Sequence, residues 1–489
     1  MSHRSDARSD RPNLEQKRKL AKELVRSVKQ LDRAEAARFT WSHPEFRGKT
    51  ASCVVRDGVS LAQAQHVIAR ESGFESWPKL KEYVRVLELD PEGPAAAFED
   101  AVRAIIRGDA ASLRKVLANH PEVATMRSQR HHRCYLPHYL AANGVENEHQ
   151  IVPKNAPEIA RIVFEMGADA VVDATSDVYG GGAGSTPLIA LVSSGHPHEA
   201  GVQPELVRAF CEAGANPNGI EEDGLPLMTA LGFRYPAAAN ALADCGAGIF
   251  NLPVAAGLGR EDLVESYLQP SLNLVSRDCE FPNPMHEPFS ESVAPHPQET
   301  MQQAFVFACM GGHIKIAKRL LKHGVDINAG PRSGITALHE TCYQGKAEVV
   351  HWLVENGASP RIRDRMWNST AVGWSQGGSH SALMEWFFEW ADVDIVDAVE
   401  LHRYDTVERI LRSNSDLANA PDGTGGILRL AVFQGDVEMV KLLLQYDCNL
   451  SLTDENGFTA LDYAVKAGKE DLKELLISAT SQKHKRDNQ

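Results

Sequence analysis

ITALHETCYQGKAEVVHWLVENGASP, residues 335–360, is the stretch on which the reading of this chain turns. Thr336 stands 21 positions before Gly357, and the apolar residues between them fall into two short helical patterns. Ala337, Leu338, Thr341 and Cys342 share one face of a first helix, and Val349, Val350, Leu353 and Val354 share one face of a second. Gly345 and Gly357 follow the two patterns, where a helix is left through the left-handed backbone that glycine adopts without steric cost. Helices of about ten residues are marginal alone in water. Neither can bury its apolar face by itself, so the pair must stack on neighbours of the same kind.

Neighbours of that kind are present. The 21-residue offset recurs from Gln303 to Gly324 in QAFVFACMGGHIKIAKRLLKHGVDINA, from Leu225 to Gly246, from Thr370 to Ala391 and from Gly426 to Asp447. Weaker units fall at 98–119, 251–268, 396–413 and 457–476. The array resembles the ankyrin repeat, whose pattern is legible in Thr336-Ala337-Leu338-His339, in Gly312-His313 followed by Leu320-Leu321 and Gly324-Val325-Asp326-Ile327-Asn328-Ala329, and in Thr186-Pro187-Leu188. The resemblance implies an all-α ankyrin-repeat solenoid of about ten or eleven helix-turn-helix units. Where Ile189, Met228, Gly373 and Asp462 replace the family's residue, the hydrogen-bonded brace usually formed there is in question.

Two units break the spacing. Tyr135 to Gly167 spans 32 positions, an insertion of 11, and Thr186 to Gly214 spans 28, an insertion of 7. Both fall between the two helices of a unit, so the loops at 144–156 and 195–204 are expected to meet on one edge. The expected organisation is a disordered basic tail at 1–12, a helical cap at 13–92, repeat blocks at 93–269 and 300–479, a proline-rich crossing at 270–299 between them, and a disordered tail at 480–489. The crossing holds Pro270, Pro282, Pro284, Pro288, Pro295 and Pro297, a density that excludes helix.

In the head, LEQKRKLAKELVRSVKQLDRAEAARF reads as one amphipathic helix, with Leu20, Leu24, Val28 and Leu31 on one face, followed by a turn at Trp41-x-His43-Pro44. The stretch from Ser60 to Glu88 reads as two further helices with a turn near Gly73, and resembles a helical region that accompanies ankyrin arrays in bacterial proteins. Phe74, Trp77, Leu80 and Tyr83 are expected to point inward and cover the first repeat.

The bulk properties exclude several function classes. Residues 1–50 carry 13 Lys and Arg against 7 Asp and Glu, a surplus of 6, which leaves −20 on the remainder of a chain whose net charge is −14. Most of the surface would therefore repel nucleic acid. No apolar run reaches the roughly 18 to 20 residues of a membrane span, and no secretory leader is legible, so a cytoplasmic protein is expected. The eight cysteines are scattered without a C-x-x-C, which points to reduced thiols rather than zinc or disulfides.

Candidate chemistry concentrates in HHRCYLPHYLAANGVENEHQ, residues 131–150, and SSGHPHEAGVQ, residues 193–203. If the two insertions lie side by side, Glu146, Glu148 and His149 approach His196, His198 and Glu199. Such a group could hold a small ligand, or a divalent ion with one position open to water. Asn143 belongs to the same segment. His138 stands where the ankyrin pattern places its structural histidine, and His339 is read likewise. Tyr179 opens a glycine-rich run that lacks the G-K-[ST] of a phosphate loop, and Ser193 and Ser194 lack the G-x-S-x-G context of a hydrolase. Trp374, near Trp367, is a candidate binding aromatic. The expectation is a scaffold that binds a protein through its concave face, without a cofactor and leaning away from an enzyme. The alternative is a ligand-binding or metal-dependent hydrolytic site at the insertions.

Overall fold

The computed structural model describes residues 11–178, 184–269, 297–330, 334–420, 426–454 and 457–487, with side chains described as far as residue 481. Among the described residues there are 28 α-helices, no strand, and two isolated bridges, Ser176 with Ser185 and Thr453 with Thr459. No helix among them is long and apolar enough to cross a membrane. From Pro94 onward, ten pairs of helices adjacent along the chain, Gly195–Glu199 aside, pack on each other among the described residues, from Pro94–Arg107 with Ala110–Asn119 to Ala460–Lys466 with Glu470–Asp487, and Leu252–Gly257 is followed by Glu261–Tyr267 in the same order. The described residues divide into two compact units, one running to Val254 and one from Ala255 onward, the division falling inside the helix Leu252–Gly257.

In the second unit the decisive stretch folds as its spacing requires. Thr336 caps Ala337–Tyr343, its hydroxyl accepting from the His339 amide, while Gly345 and Gly357 leave their helices at φ 67° and 96°. Ala337, Leu338, Thr341 and Cys342 are buried, as are Val349, Val350 and Leu353 of Ala347–Glu355. First helices pack on first helices: Ala337–Tyr343 touches both Pro297–Gly311 and Ala371–Gly377, and Ile427–Gln434 touches both Ile395–Glu400 and Ala460–Lys466.

His339 shows what the brace does. Its Nδ1 accepts from the Thr336 amide at 3.1 Å, and its Nε2 reaches the carbonyls of Ile362 at 3.1 Å and Ser369 at 3.2 Å in the next unit. Two of the replaced positions keep a brace of another kind. Asp462 accepts from the Thr459 amide and hydroxyl, closing the cap within its own helix. At Gly373 no side chain is left, and the Thr370 hydroxyl donates instead to Asp397 of the following unit at 2.6 Å.

In the first unit the first helices Pro94–Arg107, Leu136–Ala141, Pro187–Val192 and Leu225–Gly232 pack in succession. The second helices Ala110–Asn119, Ala156–Glu165, Gln203–Glu212 and Pro236–Asp244 form a second row. The head adds Leu14–Lys29, Arg33–Ser42, Ala51–Asp57, Leu61–Glu71 and Trp77–Leu89, around a core that includes Leu24, Val28, Phe39, Phe46 and Val67.

Four expectations need correction. The first head segment is two helices: Leu31 turns at φ 65°, and Asp32 accepts from the amides of Ala34 and Glu35 to start a new helix. The tail at 1–12 is ordered at its end, where Arg11 pairs with Asp100 and donates to the Pro91 carbonyl, while residues 1–10 lie outside the described residues. The crossing stops before 299, because Pro297 opens the helix Pro297–Gly311, proline being tolerated in a first turn where no intrahelical N–H bond is lost. Residues 270–296 lie outside the described residues. At the other end the last helix continues to Asp487, through most of the tail expected at 480–489.

The head joins the first pairs through buried charge. Arg130, 1% exposed, forks onto both oxygens of Glu99 at 2.6 and 3.0 Å and pairs through Nε with Glu146. The Tyr83 hydroxyl of the head donates to the same Glu99, and Phe74 and Tyr83 lie against the guanidinium. Lys17, also buried, reaches both oxygens of Glu148 at 2.9 Å.

Three outcomes follow from this packing. Leu353→Ala empties a fully buried site and is expected to cost the second unit about 2 to 5 kcal/mol by chemical denaturation; a loss under about 0.5 kcal/mol would place that face in solvent. Arg130→Met leaves two buried carboxylates without their cation and is expected to lower the stability of the first unit by about 3 to 5 kcal/mol, with part of it restored when Glu99→Gln is added. The third concerns Asp397, whose carboxyl burial pushes up to about 7 against the opposing Thr370 hydroxyl and Arg363 guanidinium. With the ordinary value at 3.8, the folded form holds the proton more tightly, so this stabilisation is complete below that value and is lost as pH rises through about 7. Asp397→Asn is therefore expected to be more stable than the parent at pH 8 by on the order of 2 kcal/mol, the gap closing toward pH 4 in paired melts.

Candidate functional site

The two insertions do touch: His196 Nε2 lies 3.1 Å from Gln150 Oε1. The acidic and imidazole groups expected to gather there are drawn elsewhere. Glu146 turns inward to Arg130, and Glu148 is taken by Lys17. His149 donates through Nδ1 to Glu146 at 2.9 Å, and His198 packs on the Tyr235 ring with centroids 4.5 Å apart. Among the described residues no three His, Cys, Asp or Glu side chains are grouped to hold a metal. The physical reason is that a carboxylate finds a stronger partner in a buried guanidinium or a nearby ammonium than in a neutral imidazole on a wet edge.

The other candidates are structural in their contacts. His138 is fully buried, accepts from the Tyr135 amide at 3.3 Å through Nδ1, and meets the Ser185 carbonyl through Nε2 at 3.2 Å. Burial drives its pKa down to about 4 despite that carbonyl, so it is a neutral brace, like His339. The Asn143 amide donates to the Ala190 carbonyl and the Ser193 hydroxyl, joining successive first helices. Trp374 donates its indole N–H to Asp364 at 3.0 Å and packs edge-on against His339, Tyr343 and Trp367. Tyr179 lies outside the described residues.

The segment 131–149 does line a cleft, but its opposite wall is the head rather than the second insertion. His131, His132, Gly144, Val145, Glu146 and Asn147 face Trp41, Ser42, Arg70, Glu71 and Gly73 across a space of about 300 Å³. Gly73 makes the approach possible. It turns at φ 81°, and a Cβ there would sit 2.9 Å from Arg130 Cδ and 3.0 Å from Glu146 Oε1. Its carbonyl accepts from the His131 amide and from His131 Nδ1, each at 2.9 Å.

Behind the cleft the charge is arranged pairwise. Burial works to raise the pKa of Glu146, but Arg130 and the hydrogen bonds from His132 and His149 overcome it and hold the carboxyl well below its usual range. His132 has both nitrogens committed: Nδ1 accepts from the Cys134 amide at 3.0 Å, so the proton sits on Nε2, which donates to Glu146 at 2.9 Å. Glu71 is held by Arg38, with Nε 2.9 Å from Oε1. Sequence reasoning found the imidazoles and Glu146 but missed Trp41, Arg70 and Arg130. The first two stood in stretches read only as a turn and a cap. The signal for the third was an arginine beside His131 in a segment that also supplies a core tyrosine.

Similarity to known proteins falls on the repeats. A family model described as "Ankyrin repeats (3 copies)" matches residues 254–364 and 395–487. An L-asparaginase of Dirofilaria immitis is 25% identical over 186 residues, 38% of this chain and 28% of that protein. Palmitoyltransferase AKR1 of Lachancea kluyveri is 24% identical over 173 residues, covering 35% and 21%, and E3 ubiquitin-protein ligase XBAT33 of Arabidopsis thaliana is 25% identical over 164 residues, covering 32% and 31%. The chain thus spans less than a third of the length of each. Among solved structures, the Bd0816 predatory endopeptidase of Bdellovibrio bacteriovorus in complex with immunity protein Bd3460 aligns with a TM-score of 0.27 and 22% identity, over 36% of this chain and 96% of that one, a likeness too low to carry an argument. With the matched stretches and the helix-pair geometry in agreement, the second half of this chain is built of ankyrin repeats.

Proposed function

We infer that this chain is an interaction scaffold whose first-helix face in the second unit holds a protein partner. The observation that carries this reading is a pair of exposed aromatics at equivalent positions. Tyr343 and Phe433, 44% and 65% exposed, each stand seven residues after the N-cap of a first helix, Thr336 and Gly426 respectively. Large apolar rings held in water at matching points of a stacked array are the residues that interfaces use as anchors. The relatives support the same reading. They are named for three different activities, and each shares only a fraction of its length with this chain, so no one of those activities attaches to the common part. The helix pairs between Pro94 and Asp244 stack first helix on first helix as those of the second unit do, and we assign them to the same kind of repeat. The insertions and the cleft leave room for a ligand alongside the scaffold role.

The Tyr343→Ser, Phe433→Ser double variant tests this. Quantitative capture against the parent is expected to lose at least one partner by tenfold or more, while the thermal melt stays within a few degrees. A capture profile that is unchanged by the double substitution sinks the assignment of this face.

A further inference from the structure

We propose that the cleft between the head and residues 131–147 is a binding site for a small anionic ligand, its carboxylate or phosphate taken by Arg70 and His131 and its flat part laid on Trp41. This inference is independent of the scaffold face and stands on three observations.

The first is a guanidinium in the cleft that is left without a carboxylate. Of the two carboxylates on its walls, Glu71 is occupied by Arg38, and Glu146 by Arg130, His132 and His149. Arg70, half-buried on the same wall, makes no hydrogen bond or ion pair with its side chain among the described residues. Arg70 is thus the guanidinium on the lining of the cleft that no carboxylate of the described residues holds, and its planar donor fork matches a carboxylate or a phosphate.

The second is the state of His131. The Gly73 carbonyl can only accept, so Nδ1 carries the proton and Nε2 is the free nitrogen, with no partner among the described residues. That ring is fixed by its bond to the opposite wall and is exposed. When protonated it offers a second donor to an anion, and when neutral it accepts from an acid's hydroxyl.

The third is Trp41. It is 86% exposed although it ends a helix, Arg33–Ser42, whose Phe39 is fully buried. An indole left in water on the lining of the same cleft as Arg70 offers a flat apolar surface to a ring or a short hydrocarbon. The walls are set in place by contacts that a passive gap would not require. Arg130, Glu99 and Glu146 are buried and ion-paired behind them, and Gly73 admits no side chain. A cleft of about 300 Å³ with convergent polar groups is at the small end of ligand pockets, the size of a one-ring acid.

Benzoate and phenyl phosphate share the required chemistry and differ in the anion. The chain has seven tryptophans, so 5-fluorotryptophan labelling of the full-length protein gives a resolvable fluorine spectrum in which Trp41 is identified by its loss in Trp41→Phe. Titration with each probe is expected to shift the Trp41 signal saturably, with the tighter of the two naming the anion. Arg70→Gln is expected to weaken that binding at least tenfold with an unchanged melting temperature, since its side chain makes no hydrogen bond or ion pair among the described residues. The proposal is overturned if neither probe moves the Trp41 signal up to 10 mM (roughly 2.7 kcal/mol of affinity), or if Arg70→Gln binds as tightly as the parent.

Discussion

Arg130 reaches no water. A guanidinium taken from solvent loses several kcal/mol of hydration, and the structure restores it only by bringing two carboxylates from different parts of the chain, Glu99 from the first repeat helix and Glu146 from the first insertion. Once those are fixed, much else follows. Tyr83 must donate to Glu99, which sets the last head helix against Pro94–Arg107. His132 and His149 must complete Glu146, which fixes the insertion. Gly73 must be bare, because the Arg130 stem and a Glu146 oxygen pass where its side chain would be. A group of apolar residues could have covered the first repeat as well, but without selecting one register. Buried charged groups that must each be met by particular partners select both the register and the partners.

The periodic part of this architecture was legible in the sequence because each repeat states itself in a few local choices. Thr336 before an apolar pair and Gly357 after one are short-range signals, and stacking only multiplies them. The site was legible only in composition. That residues 131–149 are chemically loaded could be read directly, but the partner of Glu146 could not, because Arg130 and His149 sit on opposite sides of it in sequence and the choice between them and a distant histidine depends on which of these groups is dry. Burial is a property of the assembled fold. The same limit explains the head: the apolar spacing across Leu31 is continuous, and only the Asp32 side chain, preferring backbone amides to solvent, breaks it.

The brace between repeats is a function that several chemistries fill. His339 spans two units with one neutral ring, and Asn143 links first helices with an amide. At Gly373 the ring is gone and a hydroxyl reaches a buried carboxyl on the next unit. Asp462 gives up the inter-repeat reach and keeps only the cap. What is retained in each case is satisfaction of the first-turn amides, since a helix of six or seven residues leaves most of its N–H groups without internal partners.

Both insertions interrupt a repeat between its own helices, after the first has been laid on its row and before the second begins on the other. Neither row changes its step, so Leu136–Ala141 still meets Pro187–Val192 and Ala156–Glu165 still meets Gln203–Glu212. Lengthening such a loop costs only about 0.6 kcal/mol per doubling in closure entropy. The array is therefore a frame in which one edge is open to evolutionary trial: segments there can be exchanged, extended or lost, each tested for what it binds, while the stacking that keeps the protein folded does not register the change.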